Sequence, residues 1–185
     1  MHASRIGDTM TFAQALQSWH DFYLTAGAAS ATLVGLLFVG LSLHIRVVVA
    51  HTDVRALARV TLTNFFVIVL ISLSILIPTS SATNIALWVL SVGLVSLALM
   101  LRPALEGLRN RSSRTLGLRV LTARFGISAL GYVAMVALAA VFAAGNFDAG
   151  FNGLVTVVVV LLVMAVRNTW DLLVTVADKT AGADS

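Results

Sequence analysis

The sequence contains no cysteine and only two prolines in 185 residues. Without cysteine, the protein can form neither a disulfide bond nor a metal site with thiolate ligands. Charge is also scarce, because Asp, Glu, Lys and Arg together make up 11% of the residues. Apolar residues account for 59% and the mean hydropathy is +0.98, and both values lie outside the range of soluble globular domains. The composition therefore predicts an integral membrane protein.

Long uncharged runs locate the predicted membrane crossings. A helix needs about 20 apolar residues to cross a bilayer. The longest run, residues 60–101, is about twice that length and is interrupted near its middle by Pro78 and a polar segment. We expect an all-α fold with five transmembrane helices at about residues 22–45, 60–77, 84–101, 125–144 and 151–166. Pro103 is predicted to end the third helix, because proline disrupts helical hydrogen bonding.

The predicted organisation has three parts. Residues 1–20 form an N-terminal interfacial segment, residues 21–178 the five-helix transmembrane domain, and residues 179–185 a disordered tail. Aromatic residues that suit the headgroup layer stand near the ends of crossings, so we predict interfacial anchors at Trp19, Tyr23 and Trp170.

The distribution of arginine predicts an orientation in the membrane. Arginines follow the first and third predicted crossings, whereas the connections after the second and fourth contain no Lys or Arg. The positive-inside rule then places the N-terminus outside and the C-terminus in the cytoplasm. The net charge of +4 is explained by these cytoplasmic loops, and nucleic acid is not expected as a partner because residues 102–124 contain no aromatic side chain for base stacking. Anionic lipid is the expected partner of four arginines, Arg109, Arg111, Arg114 and Arg119.

Two further patterns concern helix packing. Gly27, Ala31 and Gly35 recur every four residues on the first predicted crossing, so we expect a helix-packing seam there, against another helix or a second copy of the chain. Polar residues form a stripe on the second crossing, at Thr61, Asn64 and Ser72. That stripe either joins helices by hydrogen bonds or lines a narrow pore in an oligomer.

The sequence offers no constellation for catalysis. No ionisable residue falls at the middle of a predicted crossing, and the serines have no histidine or lysine at comparable depth. We therefore predict neither catalytic nor metal-binding residues, and no cofactor. The favoured function is a non-enzymatic, homo-oligomeric scaffold or regulatory subunit that acts by helix packing. The alternatives are an oligomeric ion channel and a lipid- or quinone-binding membrane protein.

One stretch of the chain is similar to a known group of proteins. Residues 19–23, WHDFY, followed by residues 35–42, GLLFVGLS, resemble the opening of small uncharacterised bacterial multi-pass membrane proteins. The likeness covers about the first quarter of the chain. It implies a location in a bacterial inner membrane, and it assigns no functional residues.

Overall fold

The computed structural model describes residues 11–77, 81–109 and 118–181, which form six helices and no strand. The helices are α1 (Phe12–Leu43), α2 (Ile45–Ala50), α3 (Thr52–Leu76), α4 (Ala82–Arg109), α5 (Leu118–Ala143) and α6 (Phe147–Ala181). Five of them, all except the short α2, are long and apolar enough to cross a membrane. The prediction of an all-α protein with five membrane-length helices is therefore confirmed.

The first helix begins well before the predicted crossing. Thr11 caps it, because the Thr11 hydroxyl accepts a hydrogen bond from the Gln14 N–H and the Gln14 side chain accepts one from the Thr11 N–H. Residues 12–20, predicted as part of a separate interfacial segment, are instead the first turns of this continuous 32-residue helix. The Phe12 ring packs edge-on against the Phe147 ring, with 5.3 Å between centroids, so the start of α1 contacts the start of α6.

Two other helices extend beyond their predicted ends. α4 runs through Pro103 to Arg109, so the prediction that Pro103 ends this helix is wrong. Proline removes one helical N–H, but membrane helices tolerate it because neighbouring groups satisfy the freed carbonyl. α6 continues to Ala181, so the first three residues of the predicted 179–185 tail are helical. The last four residues, 182–185, lie outside the described part of the chain.

The turn between α5 and α6 is shorter than predicted. Gly145 has a φ of +80°, a conformation that residues with a Cβ seldom adopt. The Gly145 N–H donates to the Phe142 carbonyl and the Asn146 N–H donates to the Val141 carbonyl, which together form a Schellman cap. The Asn146 side-chain oxygen then accepts the Ala149 N–H and starts the next helix. Asn146 thus follows the cap of α5 and serves as the N-cap of α6. The first residue of α6 is therefore Phe147 and not Phe151.

The centre of the bundle is α3. α3 contacts all five other helices, and 56% of its membrane-length window is buried, the largest share among the five. The corresponding share for α1 is 17%. α1 and α6 pack on one side of α3, whereas α4 packs mainly on α5 and more loosely on α3. Four polar residues of α3 are buried: Thr61, Asn64, Ser72 and Ser74.

Candidate functional site

Asn64 is the centre of the most extensive buried hydrogen-bonding group among the described residues. Its Nδ2 donates to the Ser128 Oγ at 3.0 Å, and the Tyr132 hydroxyl donates to its Oδ1 at 2.5 Å. All three side chains are buried, with 0%, 0% and 1% of their surface exposed. We call Asn64, Ser128 and Tyr132 the Asn64 cluster. Because Ser128 and Tyr132 are one turn apart on α5, the cluster fastens α3 to α5 away from water.

The other two residues of the predicted polar stripe have different surroundings. Thr61 is buried, and its hydroxyl donates to the Leu57 carbonyl of its own helix at 2.8 Å. Ser72 is also buried but faces α1, where a Cβ built on Gly27 would come within 2.7 Å of the Ser72 Cβ. Within the described residues the Ser72 hydroxyl has no hydrogen-bond partner. The three residues of the stripe are all buried, but Asn64 bonds to α5, Ser72 faces α1 and Thr61 bonds to its own helix.

The three residues of the predicted packing seam also separate. Gly27 lets α1 approach α3 at Ser72, since any side chain at Gly27 would overlap it. Ala31 and Gly35 are exposed, and a Cβ built on Gly35 would meet no atom within 4 Å. The buried face of α1 instead follows spacings of three, four and seven residues, through Tyr23, Ala26, Ser30, Leu37 and Leu41. Gly27, Ala31 and Gly35 do not form one seam within a single chain.

The described residues hold no group of three His, Asp or Glu side chains that would bind a metal ion. The His20 Nδ1 and the Asp21 Oδ1 lie 3.1 Å apart at the surface of α1.

Family models, curated proteins and solved structures were compared with this chain. None of them matches it. The function is therefore inferred from the geometry of the chain itself.

A cleft of about 370 Å³ opens between α3 and α4. α4 packs more extensively on α5 than on α3, and at that contact the Tyr132 carbonyl lies 3.3 Å from the position of a Cβ on Gly93. The lining is mainly apolar and comprises Thr63, Phe66, Val67, Leu70, Trp88, Ser91, Val92, Val95, Ser96 and Leu99. Phe66 and Trp88 are each about half exposed, so the cleft faces the surroundings of the bundle and not its centre. We call it the α3–α4 cleft.

One end of this cleft leads to an arginine. A smaller, water-sized hollow shares Thr63 and Leu99 with the cleft and is also lined by Arg59. Arg59 is exposed, and among the described residues its guanidinium forms no ion pair or hydrogen bond. The nearby Arg55 differs, because its guanidinium donates to the Val49 carbonyl at 3.1 Å.

Asn168 is a buried polar residue that the sequence analysis did not single out. It belongs to a row of buried residues at spacings of three or four along α6: Phe151, Leu154, Val158, Leu161, Ala165, Asn168, Leu172 and Val176. Neither polar atom of its amide has a hydrogen-bond partner in the described structure. The heptad spacing from Leu161 to Leu172 was the signal that would have found it. It was missed because the fifth crossing was predicted to end at residue 166.

The remaining predicted residues are the interfacial aromatics and the arginines. Tyr23 is fully buried, and its ring packs edge-on against the Phe22 ring, with 5.1 Å between centroids. Trp170 is 69% exposed, and Trp19 is half-buried. Of the arginines predicted to contact lipid, Arg111 and Arg114 lie outside the described residues. Arg109 is the last residue of α4 and Arg119 is the second residue of α5. The structure describes the backbone of both residues but not their side chains.

Proposed function

We propose that this is a non-enzymatic multi-pass membrane protein that works as a homo-oligomeric scaffold or regulatory subunit through helix packing. The observation that carries the proposal is the Asn64 cluster. The strongest polar group of the central helix is used to fasten two helices together, and so it is not free to bind a substrate. Hydrogen bonds of this kind hold membrane helices in a defined arrangement.

The outward face of α1 supports the oligomer. Ala28, Ala31 and Gly35 lie on the side opposite the buried residues of this helix, and all three are exposed. Small residues at this spacing let two helix backbones approach closely, which is how membrane helices associate without a hydrophobic driving force. We therefore propose that two copies of α1 pack together along this face.

An ion channel receives less support as the function. The polar residues proposed to line it, Thr61, Asn64 and Ser72, are 0–1% exposed because other helices of the same chain cover them. A pore lined by these residues would require the bundle to open. Lipid or quinone binding has one observation in its favour, the α3–α4 cleft.

The orientation and location belong to the same proposal. We place the N-terminus outside and the C-terminus in the cytoplasm of a bacterial inner membrane, with anionic lipid at the arginine-rich end. The exposed arginines Arg46, Arg55 and Arg59 all belong to the region where α1 ends and α3 begins, which supports this end as the cytoplasmic one.

The oligomer is tested by measuring the molar mass of the protein in a mild detergent, with the detergent contribution subtracted. We expect the wild-type chain to associate and Gly35→Leu to be monomeric, because the leucine would hold the two α1 helices apart. Ala137→Leu is the matched control, since it enlarges an exposed small residue on α5. A monomeric wild-type protein, or an unchanged mass for Gly35→Leu, would contradict the proposal.

Ion flux through liposomes separates the scaffold from the channel. We expect reconstituted protein to carry no selective ion current. A selective current that disappears in Asn64→Leu would overturn the scaffold and support the channel.

A further inference from the structure

We infer that the α3–α4 cleft binds an anionic phospholipid, with an acyl chain in the cleft and the phosphate at Arg59. The site is independent of the proposed oligomer, which uses α1. The inference combines three observations: an apolar cleft that opens to the membrane, a cation at one end of it, and the lack of a protein partner for that cation among the described residues.

The walls of the cleft suit a hydrocarbon chain. Two of its three hydroxyls are already bonded, since Thr63 donates to the Arg59 carbonyl at 2.9 Å and Ser91 donates to the Leu87 carbonyl at 2.7 Å. The other exposed surfaces are those of aromatic and aliphatic side chains, chiefly Phe66, Trp88 and Val95. A quinone ring needs hydrogen-bond donors for its carbonyls, and these walls offer few. An acyl chain needs only apolar contact.

The position of Arg59 favours an anionic headgroup. Arg59 directly precedes the uncharged run of residues 60–76 on α3. A guanidinium beside such an apolar run is costly unless it reaches the headgroup layer or pairs with an anion. A lipid phosphate satisfies it with two parallel N–H···O bonds, which a zwitterionic headgroup matches less well because its own cation opposes the arginine.

The two parts of the site adjoin each other. Thr63 and Leu99 line both the cleft and the hollow beside Arg59. Thr63 is one helical turn from Arg59 on the same helix. A lipid whose phosphate lies at Arg59 therefore has its chain directed along α3 towards Trp88.

Trp88 makes the site measurable, because brominated acyl chains quench tryptophan fluorescence on contact. The probe protein is the full chain with Trp19→Phe and Trp170→Phe, so that Trp88 is its only tryptophan. It is reconstituted in vesicles of phosphatidylcholine with increasing fractions of dibrominated phosphatidylglycerol, and in matched vesicles with dibrominated phosphatidylcholine. We expect phosphatidylglycerol to occupy the contact about fivefold more readily than phosphatidylcholine. This is the preference that one arginine at a membrane surface provides, at about 1 kcal/mol. The preference should fall at high salt, which screens the attraction.

Variants then assign the preference to Arg59. Arg59→Gln should reduce the ratio of phosphatidylglycerol to phosphatidylcholine at the contact to about one. Arg59→Lys should keep most of this preference. Arg55→Gln is the matched control, because Arg55 is an exposed arginine one turn away that does not line the cleft, and we expect it to keep the full ratio. Ser91→Phe should fill the cleft and lower quenching by both lipids.

Three results would overturn the inference. The first is equal quenching by the two lipids in the unaltered site, which would make the cleft an ordinary lipid contact. The second is a preference that survives Arg59→Gln. The third is quenching by a short-chain quinone that added phosphatidylglycerol does not displace. The salt series needs no change at Arg59, so the inference stays testable even when Arg59→Gln fails to fold.

Discussion

The amide of Asn64 bonds to two side chains of one neighbouring helix, at a depth where water offers no alternative partner. An unpaired polar group in such surroundings costs free energy, and its removal leaves Ser128 and Tyr132 unpaired as well. By contrast, the hydroxyls of Thr61 and Thr63 bond to carbonyls of their own helix. Neighbouring polar residues on α3 thus differ in whether they join helices. The position of the hydrogen-bond acceptor or donor, on α3 itself or on another helix, decides which residues do so.

Replacing Asn64 should therefore destabilise the bundle more than replacing its neighbours. We expect Asn64→Leu to lower the free energy of unfolding by about 1–3 kcal/mol, because two buried hydroxyls lose their partner. Thr63→Val is the control, and we expect it to change stability by less than about 0.5 kcal/mol. The measurement is unfolding of the detergent-solubilised protein with sodium dodecyl sulfate, followed by circular dichroism.

A double-mutant cycle with Tyr132→Phe shows whether the two residues act together. We expect the effects of Asn64→Leu and Tyr132→Phe to be non-additive by about 0.5–2 kcal/mol, because the second change removes a group that the first left unpaired. Additive effects would mean that the 2.5 Å contact contributes nothing to stability.

At the scale of the helix, α1 has two faces that its sequence does not distinguish. Gly27 and Gly35 both belong to the same four-residue repeat, yet a Cβ at Gly27 would overlap Ser72 of α3, whereas one at Gly35 would meet no atom of the described residues within 4 Å. Successive positions of the repeat rotate around the helix by about 40°, because 3.6 residues and not four complete a turn. After two repeats the row has turned from the neighbouring helix towards the outside.

This difference predicts opposite effects of the same substitution. Gly27→Ala should destabilise the folded monomer by about 1–3 kcal/mol, since the new Cβ overlaps Ser72 and the helices must separate. Gly35→Ala should be neutral or stabilising by up to about 1 kcal/mol, because alanine favours the helix and has open space. Both are measured by unfolding under conditions in which the protein is monomeric. Equal effects of the two changes would show that Gly27 is not a close contact.

At the scale of the whole molecule, hydropathy predicted the number of membrane-length helices because long uncharged runs leave few alternatives. Their ends were predicted less well. The start of α6 depends on Asn146, whose role as a cap arises only once Gly145 has ended α5. The sequence also does not predict which side of each helix is buried in the bundle, because nearly every residue of a crossing is apolar and the hydrophobic periodicity is weak. The α3–α4 cleft depends on how two helices pack against each other, which no single stretch of sequence encodes.

The proposed orientation of the molecule is tested with single cysteines, for which the natural absence of cysteine gives no background. We expect Ser80→Cys to react with an impermeant maleimide added to intact cells, because residue 80 belongs to a connection without Lys or Arg. Ser112→Cys should react only after the membrane is made permeable. The reverse labelling pattern would place the N-terminus in the cytoplasm.

The Asn64 cluster also sets an order of events during biosynthesis. Asn64 emerges from the ribosome 64 residues before Ser128 and 68 before Tyr132. At about 5–20 residues per second, the amide waits roughly 3–14 s for its partners. If α3 enters a membrane during that interval, its amide is exposed to lipid or held by the insertion machinery. The nascent bundle therefore stays incomplete until α5 arrives, and a chain truncated before α5 would present Asn64 as a marker of unfinished assembly.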